Sequence, residues 1–202
     1  MTELAVVANR RRLGTLTRSR GGDLSFVYVT QWRQDPDAFP LSLSMPLRAD
    51  PYPRASVEPW LAGLLPDDED VLRAWSSRFQ VSRRNVFGLL SEVGEDCAGA
   101  VQFVRPERLD EFLDAGPPSV EWLTEEMVGH RLAELRLDPA LGRRPDDAGR
   151  FSLPGVQPKT ALLFEDGRWG LPAGATPTTH ILKPQNPRFS GLVENEHLCL
   201  RL

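Results

Sequence analysis

The sequence predicts an α+β fold, and three observations predict it. The chain opens with short apolar runs separated by turn residues. Apolar stripes at helical spacing follow, from about Ser56. A second group of short strands then surrounds a Glu165-Asp166-Gly167 turn. The expected arrangement is an N-terminal antiparallel sheet packed with short helices, followed by a second, β-rich unit.

Leu4–Ala8 and Leu13–Leu16 flank the charged segment Asn9–Arg12 and read as a hairpin. Leu24–Val29 continues after the Gly21-Gly22 turn. Leu41–Leu47 alternates with period two, which predicts a strand with Leu41, Leu43 and Met45 on one side. The sheet is expected to keep one face in water. Ser56 is the expected cap of a helix carrying Val57, Trp60, Leu61, Leu64 and Leu65, stopped by Pro66. Asp67 would cap a helix through Val71, Leu72, Trp75 and Phe79. Ser82 would open a shorter one holding Val86, Leu89 and Leu90. The acidic run Asp67–Asp70 is explained by the dipole of a helix start. A strand ends at Phe103. Arg105–Pro118 reads as a connection, and Glu121–Leu135 as a helix burying Leu123, Met127, Val128, Leu132 and Leu135. His130 is a polar residue within it. Three segments result: 1–104, a linker and helix over 105–150, and 151–202.

Composition limits the function. The chain has 202 residues and a net charge of −4, which gives no support for a chain-wide basic nucleic-acid surface. The run Arg10-Arg11-Arg12 reads as a solvated hairpin tip. Cys97 and Cys199 are the two cysteines, with no C-x-x-C, so a zinc site is not indicated and a reducing, cytoplasmic setting is the simplest one. No N-terminal apolar run suggests a leader or a membrane span.

The chemistry concentrates between Phe151 and Lys183. Pro154-Gly155 is a turn signal, Thr160–Phe164 and Arg168–Leu171 are strands, and Thr178–Leu182 is a third that ends on Lys183. Backbone N–H groups of such a loop can cradle an anion, and a lysine adds a point charge. No Walker A or protein-kinase glycine motif occurs. After Lys183, Leu192–Leu202 reads as a helix, and a nucleotide lysine needs a carboxylate on a nearby helix to hold it. Glu194 and Glu196 are the two candidates.

The text SLPGVQPKTALL, followed by PTTHILK, resembles the HipA family of serine/threonine kinases, toxins of type II toxin–antitoxin pairs. LGTL, LSLSMPL, LLPD and FGLLSEVGEDCAGAVQF resemble the N-terminal region of that family in the same order. The resemblance implies a phosphate-binding loop at Pro154, Gly155, Val156, Gln157, Pro158 and Lys159, and an ATP-contacting lysine at Lys183. It implies an autophosphorylated serine at Ser152 and favours Glu196 as the lysine partner. Pro158 departs from the polar residue the family often has there and supplies no N–H. The family implies ATP and Mg²⁺ as cofactors and a HipB-like DNA-binding antitoxin as partner. DNA would be reached only indirectly, and the protein substrate would be a translation factor or an aminoacyl-tRNA synthetase. Its catalytic and Mg²⁺-binding aspartates lie in the C-terminal half, beyond the point matching Leu202. The second unit is therefore expected to be an incomplete, truncated nucleotide lobe, inactive alone. The alternative is a non-catalytic module that docks an antitoxin or complements a separate kinase lobe.

Overall fold

The computed structural model describes residues 1–97, 101–114, 120–137, 151–152, 157–172, 176, 178–185 and 190–202. Strands β1 (Thr2–Ala8) and β2 (Arg11–Arg18) form the opening antiparallel hairpin. Asn9 and Arg10 turn it, with φ of 49° and 59°. Two successive left-handed residues give the turn whose twist matches that of the flanking strands. β3 (Leu24–Tyr28), helix α1 (Thr30–Arg33) and the short β4 (Tyr52–Pro53) follow. Helices α2 (Arg54–Ala62), α3 (Glu69–Phe79) and α4 (Val86–Val93) come next, then β5 (Asp96–Cys97) and β6 (Gln102–Val104). The first sheet runs β4-β3-β2-β1-β6, with every pair antiparallel.

Burial explains this order. Leu4, Val6 and Ala8 alternate onto the face that packs with Leu16, Phe26, Trp75, Leu90 and Phe103. Gly14 sits where β2 crosses β3. A Cβ there would stand 2.5 Å from the Phe26 ring and collide with the Val27 carbonyl. The opposite face is not left in water at β1. Ala5 and Val7 pack with Val104 and with Phe112 of α5 (Leu109–Asp114). The expectation of one wetted face fails at β1 because this helix covers it. β3 keeps the simple alternation of buried and half-buried residues.

Other expected elements shift for local reasons. Leu41–Leu47 is a loop with a single bridge, Ser42 to Met45. Met45 N–H donates to Ser42 O at 2.9 Å, and Ser44 N–H donates to Ser42 Oγ at 3.2 Å. These serine turns compete with a ladder. Met45 is buried and Leu43 is 99% exposed, so the two do not share a face. Tyr28 clamps the loop: its hydroxyl donates to Met45 O at 2.6 Å and accepts from Leu41 N–H at 2.7 Å. The helix expected from Ser56 begins at Arg54 after Pro53 and ends at Ala62, before Pro66. Asp68, not Asp67, caps α3, accepting from the N–H groups of Asp70 and Val71. Asn85, not Ser82, caps α4.

The helix expected over Glu121–Leu135 divides in two. β7 (Val120–Leu123) precedes α6 (Glu125–Leu137), and Thr124 Oγ1 accepts from Met127 N–H at the junction. Then come β8 (Phe151–Ser152), β9 (Thr160–Glu165), β10 (Arg168–Pro172), β11 (His180–Leu182) and α7 (Leu192–Cys199). The second sheet runs β11-β9-β10-β7, antiparallel throughout. Leu123, Leu162, Trp169, Leu171 and Leu182 bury one of its faces with Val128 and Leu132 of α6. The stretch expected as linker and helix therefore supplies a strand and a packing helix to this sheet. β5 and β8 pair in parallel, with Cys97 opposite Ser152, and this ladder joins the N-terminal segment to the second unit. Among the described residues no helix is long and apolar enough to cross a membrane.

Candidate functional site

The site is built on the β9–β11 ladder. His180 faces Leu162, Ile181 faces Ala161, and Leu182 faces Thr160. One step further along the same register, Lys183 falls opposite Lys159. Residues two apart share a face, so both lysines belong with Ala161 and Ile181, on the face away from α6. These are the only two lysines in the sequence; every other one of its 24 basic residues is arginine.

Like charges placed across a ladder are destabilising. Two carboxylates offset the repulsion. Lys183 Nζ forms an ion pair with Glu196 Oε1 of α7, and both side chains are about one-third exposed. Burial, and then the charge of Lys183, holds the Lys159 ammonium below the usual lysine range; Asp67 and Glu196 pull it the other way. Asp67 belongs to the N-terminal segment, immediately before the cap of α3. Lys159, Lys183 and Glu196 thus come together at one end of the second sheet.

The start of β9 is fixed from the opposite face. Arg131 of α6 donates from Nε to Thr160 Oγ1 at 3.0 Å, and both residues are buried. Thr160 directly follows Lys159, so this bond anchors the strand that presents the lysine.

The remaining expected residues distribute as follows. Gln157 is half-buried and Pro158 is buried. Pro154, Gly155 and Val156 lie outside the described residues. Ser152 lies in β8. Of the two glutamates, Glu196 meets Lys183, whereas Glu194 is exposed on the first turn of α7. Sequence reading missed Arg131 and gave Asp67 only a capping role. The spacing Val128, Arg131, Leu135 is itself a helical stripe and carried the signal for a buried arginine.

Chemically, two neighbouring ammonium groups suit a ligand carrying several negative charges. A triphosphate has that character, and the residues present fit it. Among the described residues no group of three His, Cys, Asp or Glu side chains could hold a metal ion.

Comparisons with known proteins follow the same division. The profile of the HipA N-terminal domain matches residues 4–104, and that of the HipA-like C-terminal domain matches residues 151–202. The chain is 39% identical over 197 residues to "Putative kinase Y4mE" of Sinorhizobium fredii, covering 95% of this chain and 45% of that protein. It is 28% identical over 191 residues to the serine/threonine-protein kinase toxin HipA of Shewanella oneidensis, covering 94% of this chain and 41% of that one. A solved structure of the Shewanella oneidensis HipA, HipB and operator DNA complex matches with a TM-score of 0.72 and 27% identity, over 98% of this chain and 44% of its own. The chain spans less than half the length of these relatives.

Proposed function

The chain belongs to the HipA family, and on that footing we propose that it carries the phosphate-holding part of a serine/threonine protein kinase toxin. The observation that carries this reading is the Lys183–Glu196 ion pair set across the β9–β11 ladder from Lys159. Bound ATP would supply the γ-phosphoryl group for transfer to a Ser or Thr hydroxyl. Lys183, oriented by Glu196, would neutralise phosphate oxygens, and Lys159 would add a second charge beside it. Ile181, 55% exposed, would give the same face an apolar contact next to the lysines. The loop 154–158 would offer the backbone N–H groups of Gly155, Val156 and Gln157, with none at Pro154 or Pro158.

In this reading Ser152 is the regulatory acceptor. A phosphate there would bring about −1.5 to −2 charge to the β5–β8 ladder that pairs Ser152 with Cys97. Mg²⁺ would be needed by the intact kinase and be held outside the residues described. The partner would be a HipB-like, DNA-binding antitoxin, consistent with the complex in which the Shewanella protein was solved. Operator DNA would be met through that antitoxin, a translation component such as an aminoacyl-tRNA synthetase would be the substrate, and the cytoplasm would be the setting.

The test is phosphorylation of the full-length gene product with Mg-ATP, mapped by mass spectrometry. Phosphate on Ser152, lost in Lys183→Met, is the expected result. Unchanged total phosphorylation in both Lys183→Met and Ser152→Ala would contradict the reading. A binding module without chemistry is the competing reading, and it requires no added mass at all.

A further inference from the structure

The tip of the β1–β2 hairpin borders a cavity of about 350 Å³, within the size range of ligand sites. Arg11, Arg12, Val29, Gln31, Trp32 and Asp35 line it, and none of them belongs to the second sheet. Two successive arginines share this cavity, although neighbours on a regular strand point to opposite faces. The ladder is irregular here: Val7 faces Arg12 while Val6 faces Gly14, so Leu13 is the extra residue of a bulge.

The walls are held in place by contacts within the chain. Trp32 is 3% exposed, and its indole Nε1–H donates to Phe39 O at 3.1 Å. The Arg11 guanidinium lies over that ring, 5.3 Å from its centre, and forms an ion pair with Asp35. Asp35 is fixed in turn, its Oδ1 accepting from Asp37 N–H at 2.9 Å. Arg12 is served differently. Its Nη2 donates to Thr15 Oγ1 at 2.7 Å, a neutral acceptor, and among the described residues it has no carboxylate partner. Asp35 therefore balances one of the two guanidiniums, and the cavity keeps a positive excess on a chain whose net charge is −4.

We propose that this cavity docks an acidic side chain of a protein partner, with Arg12 and the Gln31 amide on the carboxylate and the aliphatic stem against the half-buried Val29. A single carboxylate matches a single unbalanced guanidinium, whose planar fork suits two carboxylate oxygens. The Arg11–Asp35 pair shows the same chemistry within the chain. Nucleic acid fits less well. The indole is covered by Arg11 and offers no face for a base to stack on, and Asp35 would repel a phosphate backbone. The inference stands apart from the nucleotide reading, because it uses no residue of that site.

The test is an NMR titration of the ¹⁵N-labelled chain with a tetraglutamate peptide, beside tetraglutamine and an oligothymidylate. Saturable shifts are expected at the Trp32 indole N–H, the Gln31 amide and the Arg12 Nε–H with tetraglutamate and not with tetraglutamine. Arg12→Gln should weaken tetraglutamate binding about tenfold, the loss of one charge-assisted contact. Arg73→Gln removes an equal charge from α3 and should leave the affinity unchanged. No saturable shift at these groups, equal binding of tetraglutamine, or equal weakening by both variants would overturn the proposal. Tighter binding of the oligothymidylate at the same three groups would overturn it in favour of nucleic acid.

Discussion

Replacing Lys183 by Met separates a binding role from a structural one. The side chain keeps its aliphatic stem and loses its charge. Lys183 and Glu196 are each about one-third exposed, so their ion pair falls near the weak, solvent-screened class and contributes about 0.2–1 kcal/mol to stability. Removing the charge also relieves the repulsion from Lys159, which offsets part of that loss. For a chain of this size, about 1 kcal/mol shifts Tm by roughly 2–4 °C, and the expected fall is smaller. Binding responds differently. A unit charge about 4 Å from a phosphate oxygen is worth about 4 kcal/mol at an effective dielectric of about 20. Halving this for exposure leaves about 2 kcal/mol, or roughly thirtyfold in Kd. Thermal unfolding and calorimetric titration with ATP measure the two quantities on the same sample. A small Tm change with a large affinity loss is the expected pair. A large Tm loss with unchanged ATP affinity would refute the assignment of Lys183 to phosphate.

Three further outcomes follow from the same contacts. Arg131→Met removes a buried donor from Thr160 and should cost about 1.5–3 kcal/mol, read by urea unfolding; a cost under about 0.5 kcal/mol would mean that the bond does not anchor β9. Gly14→Ala places a Cβ against Phe26 and the Val27 carbonyl, and should destabilise by about 1–3 kcal/mol as an overpacking change, seen as a lowered Tm. Lys159 has a lowered folded pKa, so between that value and the ordinary lysine value the unfolded chain binds more protons and stability rises with pH. That alkaline gain, measured by unfolding at stepped pH, should be absent in Lys159→Met.

Much of the fold was legible because period-two alternation and turn chemistry act locally. The Asp166-Gly167 turn, with φ of 49° and 74°, joins β9 to β10 where Glu165-Asp166-Gly167 predicted it. The misreadings share one cause, competition from groups distant in sequence or from side-chain hydrogen bonds. Ser42 and Tyr28 hold Leu41–Leu47 as a loop despite its alternation. Glu121–Leu123 pairs as β7 because Gly170 and its neighbours on β10 offer an edge that no periodicity in the segment announces. Phe112 covers β1 from a stretch that reads as a charged connection.

The site was legible in part. Lys183 stood out at a strand end, and Leu192–Leu202 as a helix bearing glutamates, of which the structure keeps Leu192–Cys199 helical, so the Lys183–Glu196 contact lay within reach of local reading. The relation between Lys159 and Lys183 depends on strand register, which sequence leaves open, although the scarcity of lysine in an arginine-rich chain was a signal in plain view.

One measurement bears most directly on the claim that this face holds nucleotide phosphates. An acyl-phosphate derivative of ATP transfers its acyl group to a lysine lying beside the triphosphate, and peptide mapping of this chain offers two lysines to read. The account predicts acylation of Lys183, with Lys159 as the second site, and protection of both by excess ATP. Acylation confined to the amino terminus, or lysine labelling that ATP does not protect, would contradict it.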